Sequence, residues 1–130
     1  MVRDFHSKFG CTLNSKPTQL TEAEKLLRIR LMNEELAELV AAIQLGDMEL
    51  IADSIGDLLY VTYGTGAAYG MPINQIYHEI HTSNMTKSLD KDTGGKVTKG
   101  DSFVPPRLGW ILEQAADEDW YYNLPEKLNE

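Results

Sequence analysis

The chain has 130 residues, 42% of them hydrophobic and 25% charged, and this size predicts a single domain with its own core. The formal net charge of −8 argues against sequence-independent binding to nucleic acid, which depends on clustered lysine and arginine. A small anionic substrate would need metal ions to bridge it to so acidic a protein.

The sequence also indicates a cellular setting. No apolar run approaches the roughly 18 residues of a membrane span, and the amino-terminal stretch MVRDFHSKFG lacks the apolar region of a signal peptide. The single cysteine, Cys11, excludes an internal disulfide, and a reducing compartment is its simplest setting. We therefore expect a cytoplasmic protein that has no membrane partner.

Residues 1–20 are predicted to form a short helical turn followed by a loop. His6 stands beside Phe5 in the sequence, and such a lone histidine is typical of a packed or surface residue rather than of a metal ligand. The T-x-x-E pattern at Thr21 and Glu24 is a capping box, so it predicts a first long helix over about 22–45. Arg28 is expected on a polar side of that helix.

Five carboxylates form two clusters around the end of this helix and the start of the next. Residues three or four apart share a helix face, so each cluster presents its carboxylates together. Between the clusters, Gly46 and Asp47 are suited to end one helix and start another. A helical hairpin would bring both clusters to a similar height. The five residues are Glu34, Glu35, Glu38, Asp53 and Asp57.

Carboxylates held together repel one another unless a cation lies among them, and an all-oxygen ligand set suits a hard divalent ion such as Mg²⁺ or Mn²⁺. The alternative is a solvated acidic face, because glutamate is a common helix former. Aspartate is a poor residue inside a helix, yet Asp53 and Asp57 lie one turn apart within an apolar run. That placement leaves the two interpretations in balance.

The second helix is predicted over about 50–69. Its segment GTGAAYG lacks the G-x-G-x-x-G spacing of a dinucleotide-binding loop. Gly64 and Gly66 inside a helix each cost roughly 1 kcal/mol relative to alanine, which favours close approach of another helix, including one from a second subunit. Tyr60 and Tyr63 are candidates for either the core or a base pocket.

A third helix is predicted over about 73–86, with Gly70 and Pro72 marking the break before it. His78 and His81 fall one residue short of the H-E-x-x-H metalloprotease motif, so a structural role is favoured. At its end the S-N-M-T-K segment places Asn84 one turn from Lys87, and both are donors suited to phosphate oxygens.

The last third of the chain is predicted to be mostly loop. A short hairpin is expected around 95–104, and within it Lys96 and Lys99 are either solvated or within reach of a phosphate. A final amphipathic helix is predicted over about 108–119. The acidic, aromatic tail DEDWYYNLPEKLNE then either docks a partner or frays.

These motifs resemble those of the all-α nucleoside triphosphate pyrophosphohydrolases, a superfamily that includes the MazG proteins, the dimeric dUTPases and phosphoribosyl-ATP pyrophosphohydrolase. The stretch EELAE at 34–38 with D-x-x-x-D at 53–57 is similar to the family's E-E-x-x-E…E-x-x-D signature. The segments FHSKFG, GDLLYVTYGT, HTSNMTK and GGKVTKGDSFVPP recur in the same order in short MazG-like proteins of bacteria and phages. The resemblance covers nearly the whole chain.

The resemblance implies an all-α fold, an antiparallel helical bundle of one domain over 1–130 whose core is completed by oligomerisation as a homodimer or homotetramer. Within it, 1–20 is an amino-terminal segment, 21–87 the helical core with the metal site, and 88–130 a loop, short helix and acidic tail. The implied activity is Mg²⁺-dependent hydrolysis, with Mn²⁺ as a substitute, between the α and β phosphates of a nucleoside triphosphate. The products are the monophosphate and pyrophosphate.

Carried over residue by residue, Glu35, Glu38 and Asp57 match the family's metal ligands, and Glu34 matches a carboxylate that positions metal or water. The catalytic set is therefore predicted as Glu34, Glu35, Glu38 and Asp57, and the metal set as Glu35, Glu38, Asp53 and Asp57. Phosphate binding is predicted for Asn84, Lys87, Lys96 and Lys99. The chain departs from the family at Ser54, where the signature has glutamate, and Asp53 is the expected substitute.

Three alternatives are weighed against this prediction. The first is a helical protein of the same fold that binds metal or nucleotide without turnover, a consequence expected if Ser54 abolished catalysis. The second is a di-iron carboxylate bundle, which is disfavoured because no glutamate of the first cluster is followed three residues later by histidine. The third is a purely structural interaction protein that uses the acidic face and the aromatic tail.

Overall fold

The computed structural model describes residues 1–90 and 94–117, and the tail from 118 to 130 lies outside the described residues. The described part is mostly helical, which confirms the predicted all-α class, with one small antiparallel sheet added. In these residues the elements are α1 (Val2–Phe9), α2 (Glu22–Leu45), α3 (Met48–Tyr69), α4 (Ile73–Asn84), β1 (Ser88–Asp90), β2 (Lys96–Thr98) and α5 (Leu108–Ala115).

Contacts divide the chain into two compact units, Met1–Met71 and Pro72–Glu130. The first unit holds α1, α2 and α3, and the second holds α4, the β1–β2 hairpin and α5. The helical core expected over 21–87 extends across this division, so each unit is described by itself. None of the described helices is sufficiently long and apolar to span a lipid bilayer.

The α2–α3 hairpin is the largest packed feature of the first unit, and its ends follow from local sequence. Thr21 Oγ1 accepts from Glu24 N at 3.3 Å while Glu24 Oε2 accepts from Thr21 N at 2.8 Å, so the predicted capping box is formed. Gly46 ends α2 at φ 71°, a left-handed conformation that side chains rarely adopt. The connection between the two long helices is therefore tight.

The second long helix starts two residues earlier than predicted. Asp47 Oδ1 accepts from the backbone N–H of Glu49 at 3.0 Å and of Leu50 at 3.2 Å. This side chain satisfies amide groups that the first turn of a helix leaves free, so α3 begins at Met48 instead of Leu50.

The amino-terminal segment binds along the far end of the hairpin. Helix α1 packs on α3, and the loop after it is attached to the carboxyl-terminal end of α3. Asn14 donates its backbone N–H to Ala67 O at 3.2 Å and its side-chain amide to Ala68 O at 2.6 Å, while Thr18 N donates to Tyr69 O at 2.9 Å. These bonds use carbonyls that the end of a helix leaves unpaired.

The apolar core of the described residues is small. Its buried hydrophobic side chains are Leu20, Ala42, Ala67, Ala68, Ile111 and Ala115. By contrast, α2 exposes a row of residues at alternating spacings of three and four, here called the outer stripe. It consists of Leu26, Ile29, Asn33, Leu36, Val40 and Ile43. Since α2 also packs on α3, it carries apolar residues on two sides, as a helix with two partners does.

In the second unit, three predicted boundaries are wrong. Helix α4 ends at Asn84 instead of 86, because Thr86 Oγ1 turns to bond Ser83 O at 2.7 Å and Val104 N at 2.8 Å. Helix α5 ends at Ala115 instead of 119, at its last buried residue. The hairpin expected around 95–104 pairs β2 with the earlier segment β1, with Leu89 opposite Val97, because the turn lies before β2.

Candidate functional site

The two predicted clusters of carboxylates lie within electrostatic reach of each other across the α2–α3 pair. Glu35 is half-buried, and the other four carboxylates of the set are exposed. Burial raises the pKa of Glu35 above its usual value, and the negative charges of Glu38, Asp57, Glu34 and Asp53 raise it further, in that order. Because Asp57 and Asp53 act from the other helix, the hairpin does bring both clusters together. The five residues are called the carboxylate cluster below.

The side chains of the carboxylate cluster do not yet converge as metal ligands do. Among residues 1–90 and 94–117, no group of three or more histidine, cysteine, aspartate or glutamate side chains forms a metal-binding arrangement. Their donor chemistry nevertheless fits a hard divalent cation, because all are carboxylates. Burial raises the pKa of Glu35, and repulsion by the other four carboxylates raises it further. Rotation of exposed side chains is what such an ion would require.

Glu34 differs from the other members of the cluster in its partner. Its Oε1 lies 3.7 Å from Nε of Arg30, one turn earlier on α2, and both side chains are exposed. The two residues also line an open groove of about 700 Å³ along α2, together with apolar side chains that include Leu26 and Ile29. Glu34 thus stands at the edge of the cluster, beside a cation.

The departure from the family signature has a structural counterpart. Ser54 is only 6% exposed, whereas Asp53 is exposed and makes the smallest of the four contributions to the pKa of Glu35. The expected substitution of Asp53 for the family's glutamate stays a prediction.

Two turns from the carboxylate cluster, the same helix pair holds a buried arginine. Arg28 lies seven residues before Glu35, donates from Nη2 to Val61 O at 2.9 Å and from Nε to Thr65 Oγ1 at 3.1 Å, and has a pKa lowered by burial. The prediction that Arg28 lies on a polar side is wrong, because the amino-terminal segment and α3 cover it.

Gly64 explains how this arginine fits. A Cβ atom at position 64 would lie 2.6 Å from Arg28 Nη2 and 3.0 Å from His6 Nε2. His6 is buried as expected for a packed histidine, and its Nδ1 lies 2.7 Å from Thr12 O. The small residue thus admits side chains of α2 and α1, so other helices of the same chain make the close approach that was predicted at Gly64. Arg28, His6, Gly64 and Thr65 are called the arginine cluster below.

Three aromatic rings of α1 and α3 contact one another about one helical turn beyond Asp57. The Tyr60 ring meets the ring of Phe5 edge to face at 5.7 Å between centroids, and Phe5 lies 4.6 Å from Phe9. Tyr63, the other tyrosine considered for a base pocket, lies three residues further along α3. The three contacting rings, called the aromatic patch below, belong to α1 and α3.

The sequence model of the phosphoribosyl-ATP pyrophosphohydrolase family matches residues 2–84, which include the carboxylate cluster, the arginine cluster and the aromatic patch. The chain belongs to this family. The family is part of the MazG-like all-α nucleoside triphosphate pyrophosphohydrolase superfamily, as the motifs predicted. The name of the family describes a hydrolase that acts on an acid anhydride.

A second comparison relates this member of the pyrophosphohydrolase family to a viral protein. A segment of 48 residues, 37% of the chain, is 42% identical to uncharacterized protein L479 of Acanthamoeba polyphaga mimivirus. The match covers 19% of that protein, so the chain spans about a fifth of the length of this relative.

The residues predicted to bind phosphate lie in the second unit. Asn84 ends α4 and is exposed, and Lys87 is half-buried. Lys96 is exposed in β2 opposite Asp90, and Lys99 directs its Nζ over the Phe103 ring at 5.0 Å from the centroid. Lys99 therefore has a protein partner, which weakens the case for a phosphate contact.

Sequence patterns had not singled out the groups that hold this end of α4. Ser83 is buried and donates from Oγ to Val104 O at 2.7 Å. Glu79 Oε1 accepts from the backbone N–H of Arg107 at 2.8 Å and from its Nε at 3.2 Å, and these bonds lower the pKa of Glu79. His78 and His81 are exposed on α4, and the structural role favoured for them stays a prediction.

Proposed function

We propose that this protein is a metal-dependent nucleotide pyrophosphohydrolase that cleaves the α–β phosphoanhydride of a nucleoside or deoxynucleoside triphosphate. The products are the monophosphate and pyrophosphate, and the role is house-cleaning or control of a cytoplasmic nucleotide pool. One observation carries the proposal: α2 and α3 place four further carboxylates within electrostatic reach of Glu35, whose pKa is raised by burial and then by their charges. Divalent cations would neutralise the negative charge of such a site.

Glu35, Glu38, Asp53 and Asp57 would hold Mg²⁺, or Mn²⁺ in its place, and such ions neutralise phosphate charge and acidify bound water when present. The reaction exchanges one P–O bond of the anhydride for a bond to the oxygen of water, and pyrophosphate leaves with the bonding electrons. Glu34 is suited to accept the proton of that water, since it is an exposed carboxylate at the edge of the cluster.

Asn84 and Lys87 are the preferred candidates for contacts to the phosphate oxygens. An amide and an ammonium group donate hydrogen bonds to phosphate, and the two residues lie one turn apart after α4. Lys96 and Lys99 are included as weaker candidates. Their approach to the substrate is part of the proposal, because these residues belong to the second unit.

We include a homo-oligomer, either a dimer or a tetramer, in the proposed function. The outer stripe leaves Leu26, Ile29, Leu36, Val40 and Ile43 exposed, while the buried core of the described residues includes no large side chain that is fully enclosed. A row of apolar residues at spacings of three and four pairs with another helix of the same kind. A second copy of the chain supplies such a helix, and it would also cover the groove beside Glu34.

Light scattering tests this part of the proposal. We expect wild-type protein to have at least the mass of a dimer and Val40→Glu to be largely monomeric, because a charge would then lie in the apolar interface. Leu45→Glu is the matched control, since Leu45 is also exposed and lies on α2 outside the outer stripe. A monomeric wild-type protein, or equal effects of the two substitutions, would contradict the oligomer.

The activity is tested by incubating the protein with a panel of ribonucleoside and deoxyribonucleoside triphosphates plus Mg²⁺ or Mn²⁺, while monophosphate and pyrophosphate are assayed. Glu38→Gln should lose turnover with every substrate, since it removes a charged ligand. Glu49→Gln is the control, because Glu49 is an exposed glutamate in the first turn of α3 outside the carboxylate cluster. Turnover that survives Glu38→Gln would exclude the cluster as the catalytic centre.

A second candidate function is a helical protein of the same family that binds metal or nucleotide without hydrolysis. The observation that favours it is Ser54, which is buried where the family signature has glutamate. This candidate predicts that divalent cations raise the melting temperature while no nucleotide of the panel yields pyrophosphate. Titration with Mg²⁺ alone, followed by the panel, separates the two functions.

A further inference from the structure

We propose that the aromatic patch of Phe5, Phe9 and Tyr60 is the surface on which the base of the nucleotide stacks. This inference rests on the proposed function and deepens it, because it assigns a specificity-determining role to α1. No sequence motif of the signature includes these rings together, since two come from α1 and one from α3.

The three rings of the aromatic patch contact one another, and each of them is also exposed to solvent. Phe5 contacts both other rings, at 4.6 Å from Phe9 and 5.7 Å from Tyr60 between centroids, so the three rings form one continuous surface. Yet Phe5 is 41% exposed, Phe9 60% and Tyr60 40%. Aromatic rings in a protein core are covered by other side chains, whereas rings on which a base stacks are accessible to solvent in the free protein.

The position of Tyr60 connects the patch to the reaction site. Tyr60 follows Asp57 by three residues and Asp53 by seven on α3, so the three side chains lie along neighbouring turns of one helix. At 1.5 Å of rise per residue, Asp57 and Tyr60 are offset by about 4.5 Å along the axis. A pentose can bridge a separation of this order between phosphates held at the carboxylate cluster and a base on the patch.

The chemistry of the patch indicates which ligands it favours. Aromatic rings stack on any base, and the larger purine ring system covers more of a surface made of three rings. Lys8 Nζ lies 5.3 Å from the centroid of the Phe9 ring and puts a positive charge beside the stacking surface. The patch is therefore expected to accept all bases and to favour purines.

A second copy of the chain is the competing occupant of exposed rings. The outer stripe, which is the surface that we assign to the second copy, lies on α2, whereas the patch lies on α1 and α3. A subunit contact at the patch would make the oligomeric mass depend on Phe9, and this outcome is included in the test.

The test compares kcat/KM for ATP, for a pyrimidine triphosphate and for 2-deoxyribose 5-triphosphate, which has no base. In Phe9→Ala we expect kcat/KM for ATP to fall by between about fivefold and about a hundredfold, the range that base–aromatic stacking supplies. The value for the substrate without a base should stay at the wild-type level, and the ratio of purine to pyrimidine should fall. Tyr77→Ala is the matched control, since Tyr77 is an aromatic residue 72% exposed on α4 and lies outside the three-ring contact.

Each outcome decides between the possibilities. If Phe9→Ala lowers kcat/KM equally for all three substrates, lowers none, or changes the mass in light scattering, the base does not stack on the patch, and the proposed hydrolase is unaffected. If wild-type protein hydrolyses nothing, the proposed function fails. In that case, nuclear Overhauser effects between the adenine protons of α,β-methylene-ATP and the Phe9 ring in the presence of Mg²⁺ would uphold the inference, and their absence would overturn it.

Discussion

The carboxylate cluster and the arginine cluster occupy two levels of the same helix pair, and they are built in opposite ways. Arg28 precedes Glu35 by seven residues on α2, and Gly64 follows Asp57 by seven on α3, so the levels are about 10.5 Å apart on both helices. At the arginine level a buried charge has hydrogen-bond partners and α1 covers it. At the carboxylate level like charges are exposed to one another and to solvent.

The difference separates the stabilising part of the molecule from the reactive part. Hydrogen bonds from Arg28 to Val61 O and Thr65 Oγ1 join α2 to α3, in addition to the packing of the two helices. The carboxylate cluster does not add to this stabilisation, because repulsion among its members opposes folding of the metal-free protein. Substitutions at the two levels should therefore affect stability and activity differently.

The largest effect is expected on activity at the carboxylate level. Asp57→Asn removes a charged ligand while keeping the shape of the side chain, and we expect kcat/KM to fall by about a hundredfold or more. The metal-free protein should melt at or slightly above the wild-type temperature, because one repelling charge is gone. Pyrophosphate release measures the first effect, and thermal melts without metal measure the second. Wild-type turnover in the variant would show that Asp57 is not part of the catalytic site.

The next effect is on stability at the arginine level. Gly64→Ala forces a methyl group against Arg28 and His6, and such overpacking should lower the free energy of unfolding by about 1–3 kcal/mol. Gly56→Ala is its control on the same helix, because a Cβ there meets nothing within 4 Å. That substitution should raise stability by about 0.5–1 kcal/mol through the better helix propensity of alanine.

The same substitution can be repeated in the Arg28→Ala background. If Gly64→Ala acts through the arginine, its cost should shrink there, because the guanidinium no longer occupies the space. Urea melts of the four proteins in this cycle provide the comparison. Additive costs would mean that His6, the other close neighbour of position 64, accounts for the clash.

A smaller loss of stability is expected where α2 begins. Thr21→Ala removes the side chain that accepts from Glu24 N and should cost about 1 kcal/mol, the usual value of a helix cap. Thr21→Ser keeps the hydroxyl and should stay near the wild-type value. The metal affinity should be unchanged in both variants, since the cap is remote from the carboxylate cluster along α2. An altered affinity would show that the start of α2 and the carboxylate cluster are coupled.

The smallest effect is a pH dependence at the carboxylate level. Burial and neighbouring charges raise the pKa of Glu35 in the folded protein, so the folded state binds this proton more tightly than the unfolded chain does. The associated stability is present below the pKa of the unfolded chain and is lost as pH rises through the pKa of the folded protein. In metal-free protein at neutral pH, Glu35→Gln should be more stable by no more than about 0.5 kcal/mol, because solvent screens the charges.

The difference in stability between Glu35→Gln and wild type should become smaller in acid, where Glu35 is protonated in both the folded and the unfolded protein. Thermal melts across the acidic range measure it. Saturating Mg²⁺ should reverse the order of the two proteins, since the cation stabilises only a site that binds it. A variant that is less stable than wild type without metal would contradict the proposed repulsion.

The parts of this architecture that depend on nearby residues could be predicted from the sequence. The capping box at Thr21, the left-handed Gly46 and the spacing of the carboxylates each involve residues within one or two helical turns. Gly46 and Asp47 were expected to end one helix and start the next, but the start of α3 was missed by two residues, because the bonds that Asp47 accepts from Glu49 N and Leu50 N were not anticipated. Local chemistry therefore determined the hairpin and the location of the carboxylates.

The parts that depend on distant contacts could not be predicted. Arg28 is buried by partners 33 and 37 residues away, so its surroundings have no periodic signal on α2. The requirement for glycine at position 64 also depends on this arginine, because a Cβ atom there would lie 2.6 Å from Arg28 Nη2. The aromatic patch had a partial signal, since Phe5 and Phe9 are spaced by four residues and share a face of α1, but their contact with Tyr60 requires α1 to pack on α3.

The tight connection at Gly46 and Asp47 also bears on how the protein forms. Contacts between α2 and α3 near this turn join residues that are close in sequence, and such local contacts close quickly because little chain entropy is lost. The carboxylates nearest the turn should thus be in register early during folding, before the amino-terminal segment covers Arg28. Divalent cations present at that time would speed folding of the hairpin by shielding the charges that it gathers.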